Sequence, residues 1–581
     1  MKAPPVLRPD RLPLLPAAGA LASGWLSLTP SLLPRDAALQ GLLAAIAALL
    51  GYGLFAAIGW VLHAVGVRVA ETRMMLLRRL LALAAVLGSA AMLWFAHAWQ
   101  QEQRELVGMP PASGADPFLA LFVAVLGFAV LLVLSRSVRA LARWVGRQIA
   151  RVLPARVAAA FGLVLVLWAS FAFVNDFAVG RVAERLDASF LLVNGDFATD
   201  TEPPAMAEVS AGPGSAVSWQ SLGRQGRIFI ANTPTRADIA AFFEANVASH
   251  ESPTEAEASA EGSEQPEILQ PIRVYVGTGT TEAGIEATLS QQVDTAVAEL
   301  KRTGAFERKV LNVATGTGRG WVNENQSRAL EYLWGGDTAT VSVQYSHLPS
   351  WMSYLVDAER ARKTGLALFD GVYDYWVTLP ASERPKLVVS GESLGSYGSE
   401  GAFTGASDLA ARTDGALWVG PTANNVLWQQ FTVRRDAGSS VYLPSYDGGA
   451  TVRFSPDGEA WPGDGEWAVP RVGYLQHAND PVTWLDFGAT FARPEFLGED
   501  RGPGVPRQMV WVPVITTLQL AVDQLAAGIP DGQGHEFGQA PVYAWAQILP
   551  PDSWPTASTE PLAAWLAELR QSDLDTTSSS G

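Results

Sequence analysis

The sequence predicts an N-terminal all-α transmembrane bundle joined to a C-terminal α/β domain with a mostly parallel central sheet. Three observations carry this. Long apolar stretches crowd the first 182 residues of the 581-residue chain, strand-like and helix-like segments alternate from about 226 onward, and charge divides between the halves. Residues 1–182 hold 16 Lys+Arg against 7 Asp+Glu, and the remainder holds 25 against 50. A basic, apolar first half suits a membrane, and an acidic second half argues against nucleic acid, which needs cations for its phosphates. No cysteine is present, so disulfides, thiolate metal sites and Cys nucleophiles are excluded.

Five stretches approach the length of about 20 apolar residues that a bilayer crossing needs. They are Leu12–Leu33, Ala37–Val67, Leu80–Trp99, Phe118–Leu134 and Val157–Val179. Pro13, Pro16 and Pro30 interrupt the first, and Arg8 and Arg11 before it also fit a signal peptide. Arginine placement sets the orientation. The link after the second span carries Arg68, Arg73, Arg78 and Arg79, and the link after the fourth carries six arginines from Arg136 to Arg156. Both links are expected in the cytoplasm, which puts everything after Val179 outside it. The arginines from Arg136 to Arg151 also share one helical face, as an amphipathic helix on an anionic leaflet would. Topology-setting charge explains them more simply.

Residues 183–225 read as a connector, with a short strand at Arg227–Ala231. The α/β domain then covers 226–572, with a solvated acidic insertion at 251–267 and a disordered tail at 573–581. Strands are expected at Ile272–Val276, Val310–Ala314, Ala339–Tyr345, Leu387–Ser390, Leu417–Gly420 and Val472–His477. Helices are expected at Gly284–Arg302, Gln326–Leu333, Ser353–Val377 and Ser396–Leu409.

The chemistry centres on Gly391-Glu392-Ser393-Leu394-Gly395, a G-x-S-x-G motif. An apolar strand runs into it and a small-residue helix follows, the setting of a nucleophile elbow. Serine needs a base, and only His477 and His535 follow Ser393. In the order nucleophile, acid, histidine, His535 in a Gly-rich loop is the expected general base. Asp480, just past a strand end, fixes its tautomer; Asp486 and Asp500 are weaker substitutes. The oxyanion hole is expected from the N–H of Leu394 and that of Thr317, in the Thr315-Gly-Thr-Gly-Arg-Gly-Trp321 loop. Gly318, Arg319, Glu392 and His477 are the expected substrate-binding residues. A phosphate-binding reading of that loop is the weaker alternative, since no Lys-Ser/Thr follows and no acidic residue is placed as a dinucleotide site requires. Scattered histidines give no metal-ligand spacing, and no cofactor is expected.

In these residues the chain resembles a bacterial family of membrane-anchored α/β-hydrolases, known mainly from actinobacteria and related soil bacteria. The resemblance rests on Ser218–Arg227, Thr315–Val322, Gln344–Trp351, the Gly391–Gly395 elbow, His477–Trp484 and Gly534–Gly538. It implies an α/β-hydrolase fold outside the plasma membrane and a serine esterase or lipase working through an acyl-enzyme. The expected partners are the lipid bilayer and an ester or lipid substrate. Acyl transfer to envelope lipids or glycans differs only in the group that resolves the acyl-enzyme. A non-catalytic sensor or scaffold with a hydrolase-like binding domain, its cleft lined from Trp461–Trp467, is the alternative from another class.

Overall fold

The computed structural model describes residues 14–66, 71–151, 154, 203–246, 267–279, 287–348, 353–354 and 358–579. The chain divides into two compact units, one formed by 1–183 with 485–530 and the other by 184–484 with 531–581.

In the membrane unit, among the described residues, three helices are long and apolar enough to cross a bilayer: Ala37–Ala64, Glu71–Leu106 and Asp116–Ile149. The first predicted span is only a 13-residue helix, Leu14–Leu26, because Pro30 and Pro34 keep the chain out of helix beyond it. The fifth, Val157–Val179, lies outside the described residues. Asp36 caps the second helix by accepting from Leu39 N at 2.9 Å. The arginines from Arg136 to Arg147 continue the last of these helices without a break, so they form no separate surface helix.

Residues 485–530 were expected inside the α/β domain, yet they pack with the membrane helices. A buried polar cluster holds them there. The Asp523 carboxylate, with no exposed side-chain surface, takes Arg35 Nε at 2.6 Å, Ser31 Oγ at 2.9 Å and Leu32 N at 3.0 Å. Gln519 Nε2 donates to Thr29 O at 2.8 Å, and Gln103 Nε2 donates to Ser31 O at 2.8 Å. A charge so buried needs its partner, and a partner 488 residues away cannot be read from local pattern.

The second unit is built on seven parallel strands: β1 Ile272–Val276, β2 Val310–Thr315, β3 Thr338–Val343, β4 Lys386–Glu392, β5 Gly415–Val419, β6 Val452–Ser455 and β7 Arg471–Leu475. Their order is β1-β3-β2-β4-β5-β7-β6, and every pairing is parallel. Together with the helices this is an α/β-hydrolase fold. β1, β2, β3 and β5 are buried along their whole length, which explains their mainly apolar or β-branched residues, interrupted by Arg273 in β1 and Asn312 in β2. The sequence pattern missed β6, because Arg453 interrupts a four-residue run. That guanidinium donates to Gly449 O at 2.7 Å and Trp461 O at 3.0 Å.

Other expectations change in detail. Arg227–Ala231 belongs to a helix, Gly223–Ala231, because Gly226, Phe229 and Ile230 bury one helical face against β1. A Cβ on Gly226 would sit 2.5 Å from the Tyr275 ring. The helix expected from Gly284 begins at Leu289, set by a capping box of Thr288 and Gln291. The helix after the elbow is two short ones, Leu394–Glu400 and Ala406–Arg412. The tail expected to be disordered lies, up to Ser579, in helix Thr559–Ser579. The insertion at 251–266 is outside the described residues. Trp461 and Trp467 pack on each other at 4.7 Å, nearly buried in the core.

Candidate active site

The C-terminal ends of β2, β4, β5 and β7 carry the loops that matter, around the point where strand order reverses beside β2 and β4. β4 runs into the elbow. Ser393 has φ 53° and ψ −124°, a conformation that costs energy for a residue with a Cβ. Its N–H donates to Val419 O on β5 at 2.9 Å. Tight approaches fix the glycines on either side. A Cβ on Gly391 would lie 2.5 Å from Gly395, and one on Gly395 would overlap the Thr315 carbonyl oxygen. Gly395→Ala is therefore expected to cost at least about 2 kcal/mol of stability and to displace the elbow. Thermal unfolding of the purified protein checks this, and an unchanged melting temperature would refute it.

Asp480 follows β7 and is fully buried. Its Oδ2 lies 2.7 Å from His535 Nδ1, and its Oδ1 accepts from Val482 N at 2.8 Å. The acid–base pair expected from chain order is therefore joined directly. Hydrogen bonding of Nδ1 to a carboxylate leaves Nε2 as the reactive nitrogen. His535 Nε2 is buried and makes no hydrogen bond among the described residues. The ring rests on Gly420, where a Cβ would come 2.8 Å from Nδ1. Gly420 follows Val419, the acceptor for Ser393 N–H, so both residues border the end of β5, with no hydrogen bond between the imidazole and Ser393 Oγ among the described residues.

Burial opposes charge on His535, but the Asp480 carboxylate, with Glu392 and Glu536 behind it, pushes the imidazole up to about 9. Glu392 accepts from Asn323 Nδ2 and is itself held above the usual carboxylate range by burial. It precedes Ser393 in the chain and lies in the field of the His535 imidazole.

His477 does not line a cleft. It is 4% exposed, with Nδ1 2.8 Å from Gly534 O and Nε2 3.0 Å from Pro456 O, and it stacks on Phe537 at 4.2 Å. Burial holds its ring below the ordinary histidine range. With no ring nitrogen left for substrate, it braces the loop that carries His535. Asn479 does the same, accepting Gly534 N at 3.0 Å and donating to Gln533 at 2.9 Å. Nothing in the sequence separated Asn479 from an ordinary turn residue before Pro481.

The Thr315–Trp321 loop leaves β2 beside the elbow, with Thr315 in register with Gly391. The Thr317 N–H, expected in the oxyanion hole, instead donates to Trp321 O at 2.9 Å, closing a turn also held by Trp321 N to Thr317 O at 3.1 Å. Gly318, at φ 43°, and Arg319 occupy the tip of that turn. Burial, and Arg224 beyond it, hold the Arg319 guanidinium below its usual range. Tyr275 OH fixes the loop by donating to Gly320 O at 2.9 Å. Leu394 opens its helix, so its N–H has no intrahelical acceptor.

The Alpha/beta-hydrolase family profile matches residues 272–562, and the profile for the N-terminus of the same family matches residues 28–234. No curated protein and no solved structure matches the chain.

Proposed function

We propose that this chain, which belongs to the alpha/beta-hydrolase family, is a membrane-anchored serine esterase or lipase with Ser393 as nucleophile, His535 as general base and Asp480 as its orienting acid. The observation that carries the reading is the 2.7 Å Asp480–His535 contact, set beside a serine held at positive φ after β4. His535 Nε2 takes the Ser393 proton as Oγ attacks an ester carbonyl. The oxyanion forms against Leu394 N–H and a second donor from the 316–320 loop. The imidazolium then protonates the leaving alkoxide, and water, deprotonated by the same imidazole, releases the acid from the acyl-enzyme.

The substrate we propose is an ester presented at the outer face of a bacterial plasma membrane. Within the membrane unit, the start of helix Ala37–Ala64 and the end of helix Glu71–Leu106 meet the 485–530 segment, through Arg35 to Asp523 at 2.6 Å and Glu102 to Gln508 at 2.7 Å. The arginine-rich links sit at the opposite helix ends. By the positive-inside rule those links are cytoplasmic, so the packed segment lies outside. A Ser393-dependent assay that hydrolyses soluble and vesicle-borne esters equally well would count against the membrane substrate.

The reading also fixes a pH response. With the imidazole titrating at about 9, His535 is protonated at neutral pH in the free enzyme. The rate of Ser393 acylation is expected to rise with pH as His535 loses its proton near 9. Asp480→Asn removes the main raising charge, so that limb should shift toward the ordinary value of 6.5 while the rate falls. A pH–rate profile with its acid limb unmoved by Asp480→Asn would refute the assignment. The pair's contribution to stability has the opposite slope, being full below 6.5 and lost as pH rises through about 9.

A further inference from the structure

We propose that Glu400 is a positioning residue that holds the Ser393 elbow through Asn425 and Ser396. The inference rests on the reading of Ser393 as nucleophile. Glu400 ends helix Leu394–Glu400 and is 2% exposed. Its carboxylate accepts from Tyr474 OH at 2.8 Å, Asn425 Nδ2 at 2.9 Å, Leu427 N at 2.9 Å and Trp428 N at 3.4 Å. These hydrogen-bond partners include no cation. A buried carboxylate held by neutral donors alone costs much desolvation, so packing by itself does not account for it.

The geometry leads from Glu400 to the nucleophile. Asn425 stands at the start of helix Val426–Val433, yet its side chain does not cap that helix. Its Oδ1 accepts from Thr422 N at 2.9 Å and Thr422 Oγ1 at 2.8 Å. Its Nδ2 is shared between Glu400 and Ser396 Oγ, the latter at 3.0 Å. The Ser396 hydroxyl donates to Ser393 O at 2.6 Å, an oxygen that also takes Ser396 N at 3.0 Å. Both backbone polar groups of the strained serine are thereby fixed, its N–H by β5 and its carbonyl by this relay. A strained conformation persists only where its surroundings over-determine it.

Charge on Glu400 orients Asn425 with its amide toward the carboxylate and the Ser396 hydroxyl. Once protonated, Glu400 becomes a donor facing donors, and the relay loosens. Burial pushes its carboxyl up to about 7, against the pull of Asn425, Tyr474 and the two amides. The groups facing it are Asn425 and the Leu427 and Trp428 amides from the neighbouring helix, and Tyr474 from β7, whose hydroxyl burial also drives upward.

The test is the rate at which a fluorophosphonate probe labels Ser393 in the full-length, detergent-purified protein, followed against pH. The wild type is expected to show two rises, near 7 and near 9, for Glu400 and His535. Glu400→Gln should lose the lower rise and label about tenfold more slowly. Ser396→Ala should slow labelling comparably and flatten the same rise, and the double variant should be no slower than Glu400→Gln. Losses that multiply, or single variants that keep the wild-type rate and lower rise, would overturn the positioning role and leave the serine-hydrolase reading standing. Wild-type protein left unlabelled at Ser393 would overturn both. If Glu400→Gln does not fold, Ser396→Ala decides alone, because its small deletion leaves Glu400 in place.

Discussion

Ser393→Ala is expected to abolish fluorophosphonate labelling and to lower ester turnover by about 10³-fold or more. The magnitude follows from what the serine supplies. Without Oγ no acyl-enzyme forms, and only the donors around the oxyanion remain to assist water. His535→Ala should cost about as much, and the double variant little more, because a nucleophile and its base act as one unit. The Ser393→Ala change leaves β4, the flanking glycines and the positive φ as they are, so the folded protein should keep its melting temperature. Turnover of a series of acyl esters of increasing chain length, in detergent and in vesicles, measures the effect and ranks substrates together. Labelling that survives in Ser393→Ala would place the nucleophile elsewhere and end the triad assignment.

Asp523→Ala is expected to destabilise the membrane unit by about 3–5 kcal/mol, since it strands a buried guanidinium. Arg35 makes its Nε contact to Asp523 with neither side chain exposed. The same carboxylate holds Ser31 Oγ and the amides of Leu32 and Leu33, so the segment before helix Ala37–Ala64 loses several hydrogen bonds at once. Arg35→Ala should be comparably harmful, because it strands the carboxylate instead. Replacing both partners together, as Arg35→Met with Asp523→Leu, should recover much of the loss by leaving no unpaired charge. Thermal unfolding in detergent, with proteolysis of the 485–530 segment as a second probe, checks the three variants. Single variants as stable as wild type would show that the ion pair does not hold the segment to the helices.

Much of the α/β unit was legible in the sequence because its strands are short apolar runs separated by amphipathic helices, and both periods survive in one dimension. The elbow was legible for a related reason. Gly391 and Gly395 are required by approaches within a single strand–turn–helix, so their spacing is a local matter. Asp480 and His535 could be paired from chain order alone. The role of His477 could not, since a histidine near a strand end looks the same whether it faces a cleft or braces a loop. Thr317 was misplaced because a Gly-rich loop offers several amides, and only the folded turn commits one of them to Trp321.

The sequence by itself determined the two-part architecture and the G-x-S-x-G turn after β4, because each is written in local period, composition or spacing. Tertiary structure alone decided three things. Residues 485–530, between Asp480 and His535 in the chain, pack with the membrane helices. Asn479 and His477 hold the histidine loop. Glu400 and Asn425 stand behind Ser396 and Ser393. The physical reason is common to all three. A buried polar group is satisfied by whatever donor or acceptor the fold brings within about 3 Å, and that partner's position in the chain leaves no mark on the residues around it.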